Sequence, residues 1–421
     1  MVRWKQADPA MAEQGKQVIS KLLEHGHEAY WVGGCVRDEL MGRPVDDMDI
    51  TTSALPEEVQ DVFERTVPTG IQHGTVTVLS GDCAFEVTTY RVEGAYEKHR
   101  RPAEVAFVRD LREDLKRRDF TINAIARDIE GNVVDPFHGI NDLEARLIRC
   151  VGDAKGRFQE DALRMVRCIR FASVFGFNIA YRTWKGLLEE RENIRYVAME
   201  RFRVELEKLM AGSKPSRGLG LLYRSKLPAY AKVPFPYASE ARLIRLIDDL
   251  SPEEPAIRFA LLLYACAVPA EKANAYLRDW TFPNTVRERI VGILNVGEAV
   301  EAMDHTSPCR LEWIRIVLRF GRETSESWLR LADVLKAGEA AGGYPQDVLE
   351  NGRAWMEEMA VYHMSELAVT GKDVLALSGR KGGPWLGELL NGLLVRVSSR
   401  ELPNDHNRLI EEAKQVISTH E

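Results

Sequence analysis

Residues 74–91, "GTVTVLSGDCAFEVTTYR", constrain the fold more than any other stretch. β-Branched residues run along both halves, and Ser80-Gly81-Asp82 supplies a turn between them, so the segment reads as two joined strands. The chain before it is mixed. Residues 11–25 read as an amphipathic helix with Val18, Ile19, Leu22 and Leu23 on one face and Gly26 as its stop. "EAYWVGG" reads as a strand entering a glycine turn, "VRDELMG" as a short helix, "DDMDI" as a strand, and "LPEEVQDVF" as a helix with Pro56 early in it. Residues 1–95 are thus expected to build a small, partly antiparallel sheet with helices. From "DLKRRDFTINAIA" (114–126) helical periodicity dominates, and beyond residue 145 no convincing sheet is expected. The fold class is α+β: a mixed-sheet head followed by helices.

The 421 residues exceed what one core holds, so two to four domains are expected. "VPFPYAS" (233–239) and "AGGYPQ" (341–346) are candidate boundaries. The six cysteines form no CxxC pair, which argues for reduced thiols in a cytoplasm and against a zinc site. No apolar run is long enough for a membrane span, and "MVRWKQADPA" is not a secretory signal. The net charge of −7 requires any polyanion site to gather its basic residues locally.

On a strand, residues two apart share a face. Asp47 and Asp49 therefore point one way, Met48 and Ile50 the other. In "CAFEVTTY", Glu86 and Thr88 share a side, opposite Phe85 and Val87. If the two strands are neighbours, Glu86 joins the aspartates. Such carboxylates are hard oxygen ligands suited to Mg²⁺, with Asp47 and Asp49 as the metal pair; the competing reading is a solvated acidic edge. Gly33-Gly34, between a strand and a helix, lets backbone amides approach a phosphate, and Arg37 adds positive charge nearby. Neither GxGxxG nor GxxxxGK[ST] occurs.

"GGCVRD" followed by "DDMDITT" resembles the signature of polymerase-beta-like nucleotidyltransferases. "RRDFTINAIA" (117–126), "DPFHG" (135–139), "RFQEDALRMVRCIRF" (157–171) and "ERFRVELEKLM" (200–210) follow in the order seen in class II tRNA CCA-adding enzymes and bacterial poly(A) polymerases. "GKDVLALSGRKGGPWLG" (371–387) resembles the C-terminal segment of the Gram-positive CCA-adding enzymes. The resemblance implies a catalytic head over 1–145, a helical neck over 146–215 that selects the nucleotide, a body over 216–325 and a tRNA-binding tail over 326–421. It implies transfer of nucleotidyl groups from CTP and ATP to the 3′ end of tRNA, with Mg²⁺ as cofactor and Asp47, Asp49 and Glu86 as catalytic residues. Gly34, Arg37, Arg118, Asp161, Arg164, Arg167 and Arg170 are implied as nucleotide-binding residues.

The residues of "EDALRMVRCIR" also speak for themselves. Asp161, Arg164, Arg167 and Arg170 recur every three residues on what reads as one helix, beside apolar Leu163, Met165, Val166 and Ile169. An ionised Asp only accepts hydrogen bonds and Arg only donates. Cytosine and adenine both present an amino donor beside a ring-nitrogen acceptor, so an Asp161/Arg164 pair matches them and mismatches uracil and guanine. The competing reading is a solvated face laced with ion pairs. Glu160 is expected to brace arginines. Asp119 and Asn123 either order the site or cap a helix, and His73 reads as a turn residue. The polar loop 94–107, with basic or titratable Lys98 to Arg101, is expected to be a mobile lever for the change from C to A. Arg380 and Lys381 in "GRKGGPW" either touch phosphate or merely flank a turn that packs Trp385. The rival functions are a poly(A) polymerase, a partial tRNA nucleotidyltransferase that adds only CC or only A, and a non-catalytic RNA-binding scaffold.

Overall fold

The computed structural model describes residues 4–93, 96–97, 101–102, 105–238, 240–303, 308–378 and 381–419. Its first helix, α1 (Pro9–Glu24), starts where Asp8 accepts hydrogen bonds from the amides of Ala10 and Met11. Val18, Ile19 and Leu22 are buried against the sheet, whereas Leu23, expected on the same face, is 41% exposed. The helix lies so close that a Cβ on Gly15 would stand 3.0 Å from the Phe85 ring.

Then come β1 (Ala29–Val32), α2 (Gly34–Leu40), β2 (Ile50–Thr52), α3 (Pro56–Val62), β3 (Thr66–Gly70), β4 (Thr75–Ser80) and β5 (Cys83–Thr89). The expected hairpin is β4–β5, paired antiparallel from Thr75–Thr88 to Ser80–Cys83. β2 runs parallel to β5 with Ile50 opposite Val87. Next are β6 (Arg91–Glu93), β7 (Tyr96–Glu97), β8 (Arg101–Pro102), β9 (Val105–Phe107), α4 (Leu111–Lys116), β10 (Ala126–Arg127) and β11 (Val133–Val134). The seven-stranded sheet has the order β11-β10-β1-β2-β5-β4-β3. Trp31, Ile50, Val76, Val78, Phe85 and Val87 pack on α1 in one core. Val32, Tyr90, Leu115, Ala124 and Ala126 form another. Each such fully buried apolar side chain stabilises the head by about 1.5–3 kcal/mol.

Within 94–107, expected as a loop, the described strand residues carry ladder pairing instead. β6 pairs antiparallel with β9, and β7 with β8, inside it. Lys98, His99 and Arg100 of the basic run lie outside the described residues.

After α5 (Gly139–Glu144), a short β12 (Leu147–Ile148) pairs in parallel with β13 (Asn178–Ile179), a pairing too brief to show in the sequence. The helices here are α6 (Ala154–Glu160), α7 (Leu163–Val174), α8 (Tyr181–Glu190), α9 (Met199–Met210) and α10 (Pro215–Ser225).

Residues 1–235 form one compact unit and 236–421 a second, so the division falls within the 233–239 punctuation. The second unit is helical throughout its described residues, from Ala241–Leu246 to His406–Thr419. Trp280, Trp313 and Trp328 are buried there, and Trp313 donates to the Gly352 carbonyl at 2.8 Å. Leu389, Leu393, Val397 and Leu409 centre a further cluster of this unit, with half-buried Trp385 against it. Trp385 donates to the Lys381 carbonyl, and Arg380 lies outside the described residues. Among the described residues no helix is long and apolar enough to cross a membrane.

Candidate active site

The "DDMDI" stretch becomes regular strand only at Ile50, so Asp47 and Asp49 sit on the extended approach to β2. The Val32 amide donates to the Asp49 carbonyl at 3.0 Å and carries the pairing onto this approach. Alternation holds: Met48 and Ile50 are buried, Asp47 is exposed and Asp49 half-buried. With Ile50 opposite Val87, one step back along both parallel strands sets Asp49 beside Glu86. The strand adjacency on which the third carboxylate depended is present.

Burial is the largest cause raising Asp49 to about 6, and the Asp47 charge is the next. Glu86 adds to the rise, and Arg118 opposes it. None of the three carboxylates makes an ion pair among the described residues. Nor do three metal-ligating side chains there close into a ready-made cage. The donor set fits a hard divalent cation held by one or two carboxylates and completed by substrate phosphates.

Gly33, Gly34, Arg37, Asp49, Arg118, Asp119, Asn123, Asp161, Arg164 and Arg167 line one cleft of about 410 Å³, together with Arg117, Leu163, Phe171 and Arg201. Gly33 has φ +76° and initiates α2; its amide is spent on the Ile125 carbonyl. A Cβ there would stand 2.9 Å from Arg118 Nη1, so the glycine makes room for that guanidinium. Arg118 Nη2 reaches Asp114 at 3.4 Å, and its buried Nε has no acceptor. As a cation lining the cleft, Arg118 suits a phosphate or a ribose oxygen. Asp114 is fully buried and also takes Arg117 at 2.8 Å. Burial pushes its carboxyl up, but Arg118 and Arg117 hold it below the usual range.

Arg37 is committed differently. It is buried, pairs with Asp38 at 2.6 Å, donates to Asn123 Oδ1 and lies over the Phe175 ring at 4.8 Å. It lines the cleft as a held cation. Asn123 donates on to Asp119, which accepts Arg167 at 2.8 Å through both Nε and Nη2. Burial would raise Asp119; the Arg167 charge and the hydrogen bonds from Asn123 and Arg167 outweigh it and hold the group at about 2. Asp119 and Asn123 therefore order the site. His73 is exposed in a one-turn helix, Ile71–His73, ahead of Gly74.

The expected single helix through Asp161 breaks there. α6 ends at Glu160, Asp161 has extended backbone (φ −136°), and α7 starts at Leu163. The cause is local: the Asp161 carboxylate accepts the Leu163 amide at 3.0 Å, a turn that competes with helix continuation. Arg164, Arg167 and Arg170 share α7. Glu160 pairs with both Arg157 and Arg164 at 2.5 Å. Arg164 also donates to the carbonyls of Arg157 and Arg117. Arg170 pairs with buried Glu205 at 2.5 Å and lies 3.9 Å over Phe171. It is a brace of the row and does not line the cleft.

Three partners escaped the sequence reading. Arg201 holds Asp161 at 2.8 Å, Glu205 holds Arg170, and Asp114 holds Arg117 and Arg118. Arg201 and Glu205 fall inside "ERFRVELEKLM", but nothing in their spacing points at α7.

The chain matches three family models: "Poly A polymerase head domain" over residues 29–149, "Probable RNA and SrmB- binding site of polymerase A" over 176–237, and tRNA nucleotidyltransferase domain 2 over 251–413. It is 40% identical to the CCA-adding enzyme of Geobacillus thermodenitrificans, over 94% of this chain and 95% of that one. It is 35% identical to the CCA-adding enzyme of Lactiplantibacillus plantarum over 97% of both. The crystal structure of the Bacillus stearothermophilus CCA-adding enzyme in complex with CTP matches with a TM-score of 0.83 and 35% identity, over 98% of this chain and 99% of that one. The Thermotoga maritima CCA-adding enzyme complexed with tRNA shares the fold at a TM-score of 0.67 and 20% identity, over 99% of this chain and 97% of that one. With an acidic strand pair and an arginine-lined cleft in a head of this kind, the chain belongs to the CCA-adding enzymes and is a nucleotidyltransferase.

Proposed function

We propose that this chain adds C, C and A to the 3′ end of tRNA from CTP and ATP, without a template, releasing pyrophosphate. The observation that carries the reading is one cleft bounded by unpaired Asp49 on one side and Asp161 with Arg164 on another. Relatives at 35–40% identity bear the name CCA-adding enzyme, and a solved one holds CTP.

Asp47 and Asp49 would hold Mg²⁺, with Glu86 beside them. When bound, that ion neutralises triphosphate charge and lowers the pKa of the attacking 3′-hydroxyl. Arg118, seated over Gly33 and anchored by Asp114, offers its positive charge to the triphosphate or its ribose. Gly34, the first residue of α2, lines the same cleft. A carboxylate has about four acceptor sites. Leu163 and Arg201 use three on Asp161, which leaves one for the amino group of cytosine or adenine. Arg164, fixed by Glu160, supplies the donor to the ring nitrogen. Arg167, with Asp119, and Arg170, with Glu205, hold this edge in place. Uracil and guanine would set acceptor against acceptor and leave buried groups unpaired.

We assign the head to residues 1–145, the nucleotide-selecting neck to 146–215, the body to 216–325 and the tRNA-gripping tail to 326–421. The six thiols, none in a disulfide, support a reducing cytoplasm. The test is a tRNA lacking its CCA end, incubated with all four nucleoside triphosphates and Mg²⁺. Extension should stop after three nucleotides ending in one A. A long A tail would replace this reading with poly(A) synthesis.

A further inference from the structure

Phe171 lines the catalytic cleft and is 4% exposed. Three guanidinium groups gather on its ring. Their carbons lie 3.9 Å (Arg170), 5.2 Å (Arg167) and 5.3 Å (Arg37) from the ring centroid. A ring beside one arginine is common in this unit, as Phe137 with Arg112 and Trp4 with Arg127 show. Phe171 differs in drawing its three from two elements: Arg37 from α2 of the head, Arg167 and Arg170 from its own helix, α7. The ring is itself held. Phe120, next in sequence to Asp119, meets it edge-on at 5.8 Å and 83°, and Phe175 stacks on it at 5.4 Å and 18°. Phe175 in turn carries Arg37 at 4.8 Å and Arg43 at 5.2 Å.

Three like charges do not converge on one point without cause. Burial lowers the pKa of Arg170 from its ordinary value; Glu205 opposes that and the Arg167 charge adds to it, so neighbouring cations do repel here. Each of the three has a carboxylate: Asp38 for Arg37, Asp119 for Arg167 and Glu205 for Arg170. Those carboxylates sit on α2, ahead of Phe120, and on α9. The ion pairs therefore tie the guanidinium groups to three separate segments and do not by themselves set where one stands relative to the next. The ring is their common contact. An aromatic face is electron-rich and attracts a cation without adding a formal charge. Leucine would fill much the same space and offer no such face. The competing cause is apolar packing of arginine stems on the ring. Packing depends on bulk, whereas the attraction depends on electron density, and the two can be separated.

We propose that Phe171 is a positioning residue for nucleotide binding: its electron-rich ring holds Arg37, Arg167 and Arg170 in register, so that α2 and the base-reading row on α7 accept one triphosphate together. The inference rests on the reading that this cleft binds CTP and ATP, and adds what keeps its two sides aligned.

The probe is CTP, titrated with Mg²⁺ onto the full-length chain in the absence of tRNA, with the phenylalanine at 171 replaced in turn by its mono-, di- and trifluorinated forms. Fluorine draws electron density off the ring face and nearly keeps the ring's volume. Log Kd for CTP should climb steadily with each fluorine, to a total loss of roughly 2- to 30-fold for the trifluorinated ring. In tRNA extension the same series should raise KM for CTP and leave kcat at saturating CTP within about twofold, because the ring acts on how the nucleotide is seated. Phe171→Leu keeps apolar bulk without the face and should weaken CTP at least as much as the trifluorinated ring. If that variant does not fold, the fluorinated series decides alone. A series in which CTP affinity does not move overturns the proposal and leaves Phe171 a packing residue. A parent chain that binds no CTP instead overturns the reading beneath it, so the two failures are distinct.

Discussion

Two walls of the catalytic cleft treat charge in opposite ways. At the acidic corner, Asp47, Asp49 and Glu86 stand together with no ion pair among the described residues, and the charges of Asp47 and Glu86, added to burial, raise Asp49 to about 6. Along α7, Asp119 has Arg167, Glu205 has Arg170, and Glu160 has Arg164. There the ion pairs outweigh burial and bring Asp119 down to about 2. One wall is incomplete until something positive arrives. The other is finished beforehand, its side chains already held for a substrate that brings only hydrogen-bonding edges. The contrast locates where a cation is needed and where preorganisation does the selecting.

Removing charge from the incomplete wall should hurt catalysis most and help the fold. Asp49→Asn keeps the side-chain volume and should lower kcat by on the order of 10²–10³-fold or more, the scale for losing one transition-state stabiliser. In buffer without divalent cations the same variant should melt higher than the parent at pH 8. A carboxyl raised from 3.8 to about 6 by folding binds its proton more tightly in the native state, so the parent is favoured below about pH 4 and loses that advantage as pH rises through 6. The melting gap between variant and parent should therefore close on going from pH 8 to pH 5. Asp119 has the reverse sign: its contribution is present above about pH 4 and fades only as pH falls towards 2. Catalysis without excess cation should thus fall through pH 6 while the α7 wall stays intact. A gap that persists at pH 5 would mean the corner is not strained by its own charges.

The finished wall is probed by substrate choice. With each nucleoside triphosphate supplied alone, Asp161→Ala or Arg164→Ala should narrow the preference for CTP and ATP over UTP and GTP by about 10²-fold, with turnover retained. Choice left unchanged would reduce the region to packing, and the contrast between the walls would lose its functional half.

The same contrast explains what the sequence disclosed. Alternation along "DDMDI" sets Asp47 and Asp49 on one side, and along "CAFEV" sets Glu86 opposite Phe85 and Val87, whichever strands are neighbours, because a strand has a fixed period of two. The parallel pairing of β2 with β5, which brings Glu86 to Asp49, is a long-range fact that no local period encodes. On α7 the local signal misled in one place. A three-residue recurrence ran smoothly through Asp161, but an Asp side chain can bond the amide two residues on and end a helix there. The partners that finish this wall, Arg201, Glu205 and Asp114, come from other segments, so charge alone in the sequence could not pair them. The pairings of Tyr96–Glu97 with Arg101–Pro102 and of Arg91–Glu93 with Val105–Phe107 fall in or beside a segment, 94–107, that reads as loop because its charges and glycine mask strand propensity, and only cross-strand pairing reveals them.

The smallest expected effects separate two glycines that look equivalent in the sequence. At Gly33 the backbone is left-handed (φ +76°), and a Cβ would press on Arg118 Nη1 at 2.9 Å. Gly33→Ala carries about 1–2 kcal/mol of backbone strain and pushes the guanidinium off its seat, so KM for CTP should rise about tenfold. At Gly34 the added carbon would meet only Arg37 Nη2, at an ordinary 3.8 Å, in a helical position that alanine favours. Gly34→Ala should stay within about twofold of the parent, since a backbone amide offered to phosphate survives the change while a displaced arginine does not. Equal, large losses in both variants would show that the phosphate end of the cleft needs backbone closeness at Gly34. In that case the triphosphate would be held by the turn, and Arg118 would be one more finished ion pair of the opposite wall.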